Sequence, residues 1–117
     1  MTDALDPAKV DELRAYANGE ARWITTLYER YDVDTSARVA ALRADVALGD
    51  AARVSAGAHG IRGASASLGA LRVVASCHAI EDAARRGDLV AAGQLVEELA
   101  RAVEELRSVV PLVLRGA

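Results

Sequence analysis

Ala58-His59-Gly60-Ile61-Arg62-Gly63-Ala64-Ser65-Ala66-Ser67-Leu68-Gly69-Ala70 is the stretch from which the fold of this chain can be read. No proline interrupts it, and with Val54 its positions Ala58, Ile61, Ser65 and Leu68 recur at spacings of 4, 3, 4 and 3. That is the period of an amphipathic helix. At ~100° per residue these five positions share a narrow arc, predicted to pack inward. Ala56, His59, Gly63, Ala66, Ser67 and Ala70 lie roughly opposite. His59 therefore stands on a face stripped of bulk, with Gly63 one turn later and Arg62 beside it. Glycine inside a helix is up to ~1 kcal/mol less favourable than alanine, so Gly60 and Gly63 call for a reason. A bare face that lets a second protein reach the imidazole supplies one.

The same periodicity extends outward in both directions. Asp6-Pro7 is a helix start, an N-cap acceptor followed by a proline at the first helical position. A short helix over about 7–18 runs through Val10, Leu13 and Ala17 to the stop signal Asn18-Gly19. Ile24, Tyr28, Tyr31, Thr35, Val39, Leu42 and Val46 then keep one phase across Asp32-Val33-Asp34. They predict one long helix, about 20–48, of ~43 Å at 1.5 Å per residue; the alternative is a break near residue 33. Gly49-Asp50 closes that helix and caps the next, about 51–68. A turn at Gly69-Ala70 leads to a helix over about 70–86, with Val73, Cys77, Ile80 and Ala84 on one face. Gly87-Asp88 repeats the punctuation, and the last helix carries Leu95, Leu99, Val103, Leu106 and Val110 over about 89–110. Pro111 is expected to end its regular part. The fold class is all-α: an antiparallel up-down-up-down four-helix bundle with a short N-terminal capping helix.

Bulk properties agree with a single domain spanning 1–117. The chain has 117 residues, enough to bury a core without staples. Hydrophobic residues make up 52% but aromatics only 3%, and Phe is absent, so Ala, Leu and Val must build the core. A net charge of −3 and a pI near 5.3 argue against nucleic acid as a partner. No run approaches the ~20 apolar residues of a membrane span, and no signal-peptide pattern opens the chain. A lone Cys excludes an internal disulfide and a thiolate metal site. A cytoplasmic monomer is the expectation, and Met1 favours a free-standing protein.

The turn at 69–70 also brings chemistry together. His59 lies 11 residues before residue 70 and Glu81 lies 11 after it. Equal distances from the turn of an antiparallel hairpin mean equal heights, each ~16 Å along the axis. A carboxylate accepting from Nδ1–H fixes the tautomer and leaves Nε2 as the nucleophile. Arg62, at i+3, offers a fork of donors suited to phosphate oxygens. Ser65 and Ser67 are weaker candidate donors. No Gly-rich loop with a Walker lysine is present to bind ATP, and no paired carboxylates for Mg²⁺ are evident. His78 reads as a solvated side chain and Cys77 as a small core hydrophobe. These two and His59 share neither face nor height, which argues against a metal site.

His59-Gly60-Ile61-Arg62-Gly63-Ala64-Ser65, then Leu68-Gly69-Ala70, Cys77 and Ile80-Glu81, resembles the histidine-containing phosphotransfer domain family. Arg62 stands where Lys is commoner in that pattern, and Ala64 where Ser is common. The resemblance covers nearly the whole chain. It implies a phosphorelay intermediate whose His59 is phosphorylated on Nε2, oriented by Glu81, with Arg62 stabilising the phosphoryl group. Gly63, Ala66, Ser67 and Ala70 would form the docking face. The implied partners are receiver domains of response regulators and a histidine kinase. No cofactor is implied for the chain itself, Mg²⁺ being expected only in the partner receiver domain, and no kinase activity of its own. The alternative is a phosphorylation-independent helical adapter that uses the bare face to bind a signalling partner. An enzyme acting on a small molecule ranks third, for want of a cleft signal or a second acid–base group.

Overall fold

A computed structural model describes residues 4–115, all of whose regular structure is helical. The helices are α1 (Pro7–Tyr16), α2 (Ala21–Ala47), α3 (Ala51–Ser67), α4 (Leu71–Arg85) and α5 (Leu89–Arg115). Side-chain carboxylates start three of them. Asp6 accepts from the Ala8 amide at 3.0 Å, Asp50 from Arg53 at 3.1 Å, and Asp88 from Ala91 at 3.0 Å. Glycines with positive φ occupy the joints at Gly49 and Gly87. Helix α2 continues unbroken through Asp32-Val33-Asp34.

The four long helices pack in a closed cycle: α2 on α3, α3 on α4, α4 on α5, and α5 back on α2. Val54, Ala58, Ile61, Ser65 and Leu68, the inward arc of the motif helix, are all buried. The apolar members of that arc meet Ile24, Tyr28, Tyr31 and Leu42 from α2, Val73, Cys77 and Ile80 from α4, and Val96, Leu99 and Val103 from α5 in one cluster. Gly57 has a packing reason to be glycine: a Cβ there would stand 2.9 Å from Leu42 Cδ2 of α2.

Helix α5 corrects the expectation that Pro111 ends the last helix: the α-helix runs through it to Arg115. A proline removes one N–H and crowds the carbonyl four residues back, which argues for a stop. Two contacts favour continuation. Val110, Val113 and Leu114 pack against the core, and Arg14 of α1 donates through Nη2 to the Val113 and Leu114 carbonyls, each at 3.0 Å. A cation on the last carbonyls also faces the negative end of the helix dipole.

The same end of the molecule holds the turn between α3 and α4. Gly69 has φ +71°, and a Cβ there would meet Lys9 Cβ at 2.8 Å and Asp6 Cβ at 3.1 Å. Only glycine therefore lets the start of α1 lie against this turn, where the Asp6 amide donates to the Gly69 carbonyl at 2.8 Å. From α2, the Tyr28 hydroxyl donates to the Leu68 carbonyl at 2.9 Å. The turn that sets the relative height of α3 and α4 is thus held from two sides.

Candidate functional site

His59 projects from α3 with its side chain 70% exposed, whereas Glu81, facing it from α4, is only 6% exposed. The imidazole Nδ1 lies 3.3 Å from Glu81 Oε1. Arg62, one turn after His59, closes the group: its Nε donates to Glu81 Oε2 at 2.6 Å and its Nη2 reaches Oε1 at 3.3 Å. The same Nη2 stands 2.9 Å from His59 Nδ1. A carboxylate so deeply buried needs a partner or it would take up a proton. Arg62 is that partner: its hydrogen bond is the main influence holding the Glu81 carboxyl below its usual range, against burial and with help from His59. Reciprocally, the bond to Glu81 raises the Arg62 guanidinium above its ordinary value.

The bare face is open at Gly63, where an added Cβ would meet nothing within 4 Å, and Ala66 and Ser67 are exposed. Ala70 is not part of it. That residue is fully buried at the N-cap of α4, because the helix has already turned at Leu68-Gly69 and the 100° spacing no longer applies. Ser65 is corrected as well. Its hydroxyl is buried, donates to the Ile61 carbonyl at 2.6 Å and lies 2.6 Å from the Tyr31 hydroxyl, so it is committed to the α2–α3 contact. Ser67 Oγ bonds back to the Gly63 carbonyl at 3.3 Å. His78 is exposed on α4, and neighbouring Cys77 is fully buried, its thiol pushed up to about 12 by burial. Among the described residues no cluster of His, Cys, Asp and Glu is placed to hold a metal ion.

Beside the imidazole lies an open cleft of about 530 Å³ between α3 and α4, to which Ala52, Ser55, Ala56, His59, Glu81 and Arg85 contribute. Sequence reasoning missed Ser55 and Arg85. The signal was there: Ser55 is one turn before His59, and Arg85 is one turn after Glu81 on the same helix face. The small-residue surface around His59 therefore extends toward the start of α3 and the end of α4, away from Ala70.

The site is thus an exposed imidazole backed by a buried, arginine-paired carboxylate on a helical scaffold. The Hpt domain family model matches residues 27–109, and the chain belongs to that family. Its domains are histidine phosphotransfer carriers rather than kinases. The crystal structure of histidine-containing phosphotransfer protein B (HptB) from Pseudomonas aeruginosa PAO1 superposes with a TM-score of 0.87 at 26% identity, over 100% of this chain and 99% of that one. No curated protein matches the chain.

Proposed function

We propose that this protein is a phosphorelay intermediate that carries a phosphoryl group reversibly on His59 between a receiver-domain aspartate, or a histidine kinase, and a response regulator. The observation that carries this reading is the pairing of a 70% exposed imidazole with a 6% exposed carboxylate. Glu81 accepts from Nδ1–H and leaves the Nε2 lone pair facing solvent. That lone pair attacks the phosphorus of an aspartyl phosphate. The N–P bond forms as the P–O bond breaks, and the electron pair leaves on the aspartate carboxylate. Arg62 supplies positive charge beside the ring for the phosphoryl oxygens. Such transfer is mostly positioning and charge neutralisation, and the Mg²⁺ it uses would come with the receiver domain.

Gly63, Ala66 and Ser67 are the docking face in this reading, with Ser55 and Arg85 extending it across the cleft. Short joints between successive long helices, together with their cyclic packing, support an antiparallel up-down-up-down bundle capped by α1. Such a protein works as a cytoplasmic monomer that meets its partners through one face. Among the described residues no helix is long and apolar enough to cross a membrane.

Incubation with a phosphorylated receiver domain tests the reading. Acid-labile label is expected on wild type and on His78→Gln, and none on His59→Gln. Full labelling of His59→Gln would overturn the assignment.

A further inference from the structure

Gly60, unlike Gly63, is crowded, and the crowding comes from α2. A Cβ at position 60 would stand 3.1 Å from Nη1 of Arg38, so glycine is what lets this guanidinium lie over α3. Arg38 is 51% exposed, and its Nε faces Asp34 Oδ2 at 3.2 Å. Among the described residues neither Nη1 nor Nη2 of Arg38 has a hydrogen-bond partner. Arg62 differs, because Glu81 engages both its Nε and its Nη2.

The free guanidinium lies close to the imidazole around the helix. At ~100° per residue, Gly63 and Ala56 fall about 40° and 60° from His59, and Gly60 about 100° from it on the α2 side. Ala56 is exposed and lines both the cleft beside His59 and a recess of about 120 Å³ to which Arg38, Asp45 and Gly57 contribute. Imidazole and guanidinium therefore stand at opposite edges of one strip of small residues.

We propose that Arg38 is a specificity-determining residue of the docking face, where its guanidinium takes a carboxylate side chain of the receiver domain that exchanges the phosphoryl group with His59. This rests on the carrier reading above. A receiver that covers Gly63 and Ala56 to bring its aspartate to Nε2 meets Arg38 at the edge of the same strip. The strip itself offers that partner no polar side chain, so the charge at its edge discriminates. Nη1 and Nη2 present two donors end-on, a fork that matches a carboxylate, while Nε keeps its contact with Asp34.

Transfer from a phosphorylated receiver domain that labels wild type, followed at increasing receiver concentration, tests the assignment. Arg38→Gln should raise the half-saturating concentration about fivefold without changing the maximal rate. Arg38→Glu should raise it further, because a like charge repels the same carboxylate. Salt should weaken docking of wild type and affect Arg38→Gln much less. Both variants place good helix formers at an exposed helical position, so their melting curves should match wild type. Labelling of His59 by phosphoramidate should keep its wild-type rate in both. An unchanged half-saturating concentration in Arg38→Glu would overturn the proposal. Equal loss with phosphoramidate would also overturn it, since the guanidinium would then serve the phosphoryl group and not the partner. The phosphoramidate arm reads the carrier role of His59 by itself, so failure of that reading and failure of this one are distinguishable.

Discussion

At the level of single residues, Glu81 separates two roles that are easily merged. It is buried, which disfavours its charge, yet the Arg62 and His59 bonds outweigh burial and lower its carboxyl pKa from 4.5. A group whose pKa is depressed on folding adds stability above the unfolded value, and that stability is lost as pH falls through the folded one. Melting temperature should therefore fall as the solution is acidified below about pH 4.5, and Glu81→Gln should show a shallower fall over the same range. Equal acid slopes in the two proteins would mean that the Arg62–Glu81 pair contributes nothing to folding. For function, Glu81→Ala should slow phosphoryl transfer from a receiver by up to ~10²-fold, the typical worth of a positioned acid–base partner. Transfer at the wild-type rate would remove Glu81 from the mechanism.

The elements depend on one another at their ends more than their individual patterns reveal. Helix α5 passes Pro111 with Val110, Val113 and Leu114 packed on the core and Arg14 of α1 donating to the Val113 and Leu114 carbonyls. Arg14→Ala should therefore act at a distance of about a hundred positions in sequence, fraying the last turn of α5 and lowering stability by about 1–2 kcal/mol. Amide hydrogen exchange locates the effect: faster exchange confined to residues 112–115 and to α1 is expected. Exchange unchanged at those residues would show that the α5 terminus holds by packing alone. The α3–α4 turn has the same character. Its height is set by Gly69 beneath α1 and by Tyr28 from α2, so the register that brings His59 to Glu81 is secured outside the hairpin that contains both.

For the whole molecule, which measures 45 × 25 × 19 Å, the question is how a partner approaches. Gly63 is exposed, and a Cβ there would meet nothing within 4 Å, so the position can take a side chain without a clash at its first atom. Gly63→Gln should fold as well as wild type or slightly better, by up to ~1 kcal/mol, since Gln is the better helix former. It should block transfer from a receiver domain, whose aspartate must come within bonding distance of Nε2. Labelling by a small donor such as phosphoramidate should suffer much less. Two rates and a melting curve on one variant decide the matter. Equal loss with both donors would assign Gly63 to the local geometry of the ring, and loss with neither would move the docking face elsewhere.

The helices, their inward faces and the approach of Glu81 to His59 were legible from the chain alone. Apolar spacing, Asp caps and Gly joints are local signals, and the imidazole, guanidinium and carboxylate carry their chemistry wherever they sit. Equal counts from Gly69-Ala70 even placed His59 and Glu81 at one height. What depends on atoms from different helices emerged only on folding. Ala70 left the exposed face because the turn ends the helical spacing just before it, and Ser65 left the candidate site because Tyr31 of α2 engages it. Pro111 stayed within a helix whose last turn packs on the core and accepts a donor from α1. Arg62 likewise turned toward Glu81, because a carboxylate buried between two helices demands a cation. Spacing along one helix carries no record of that demand.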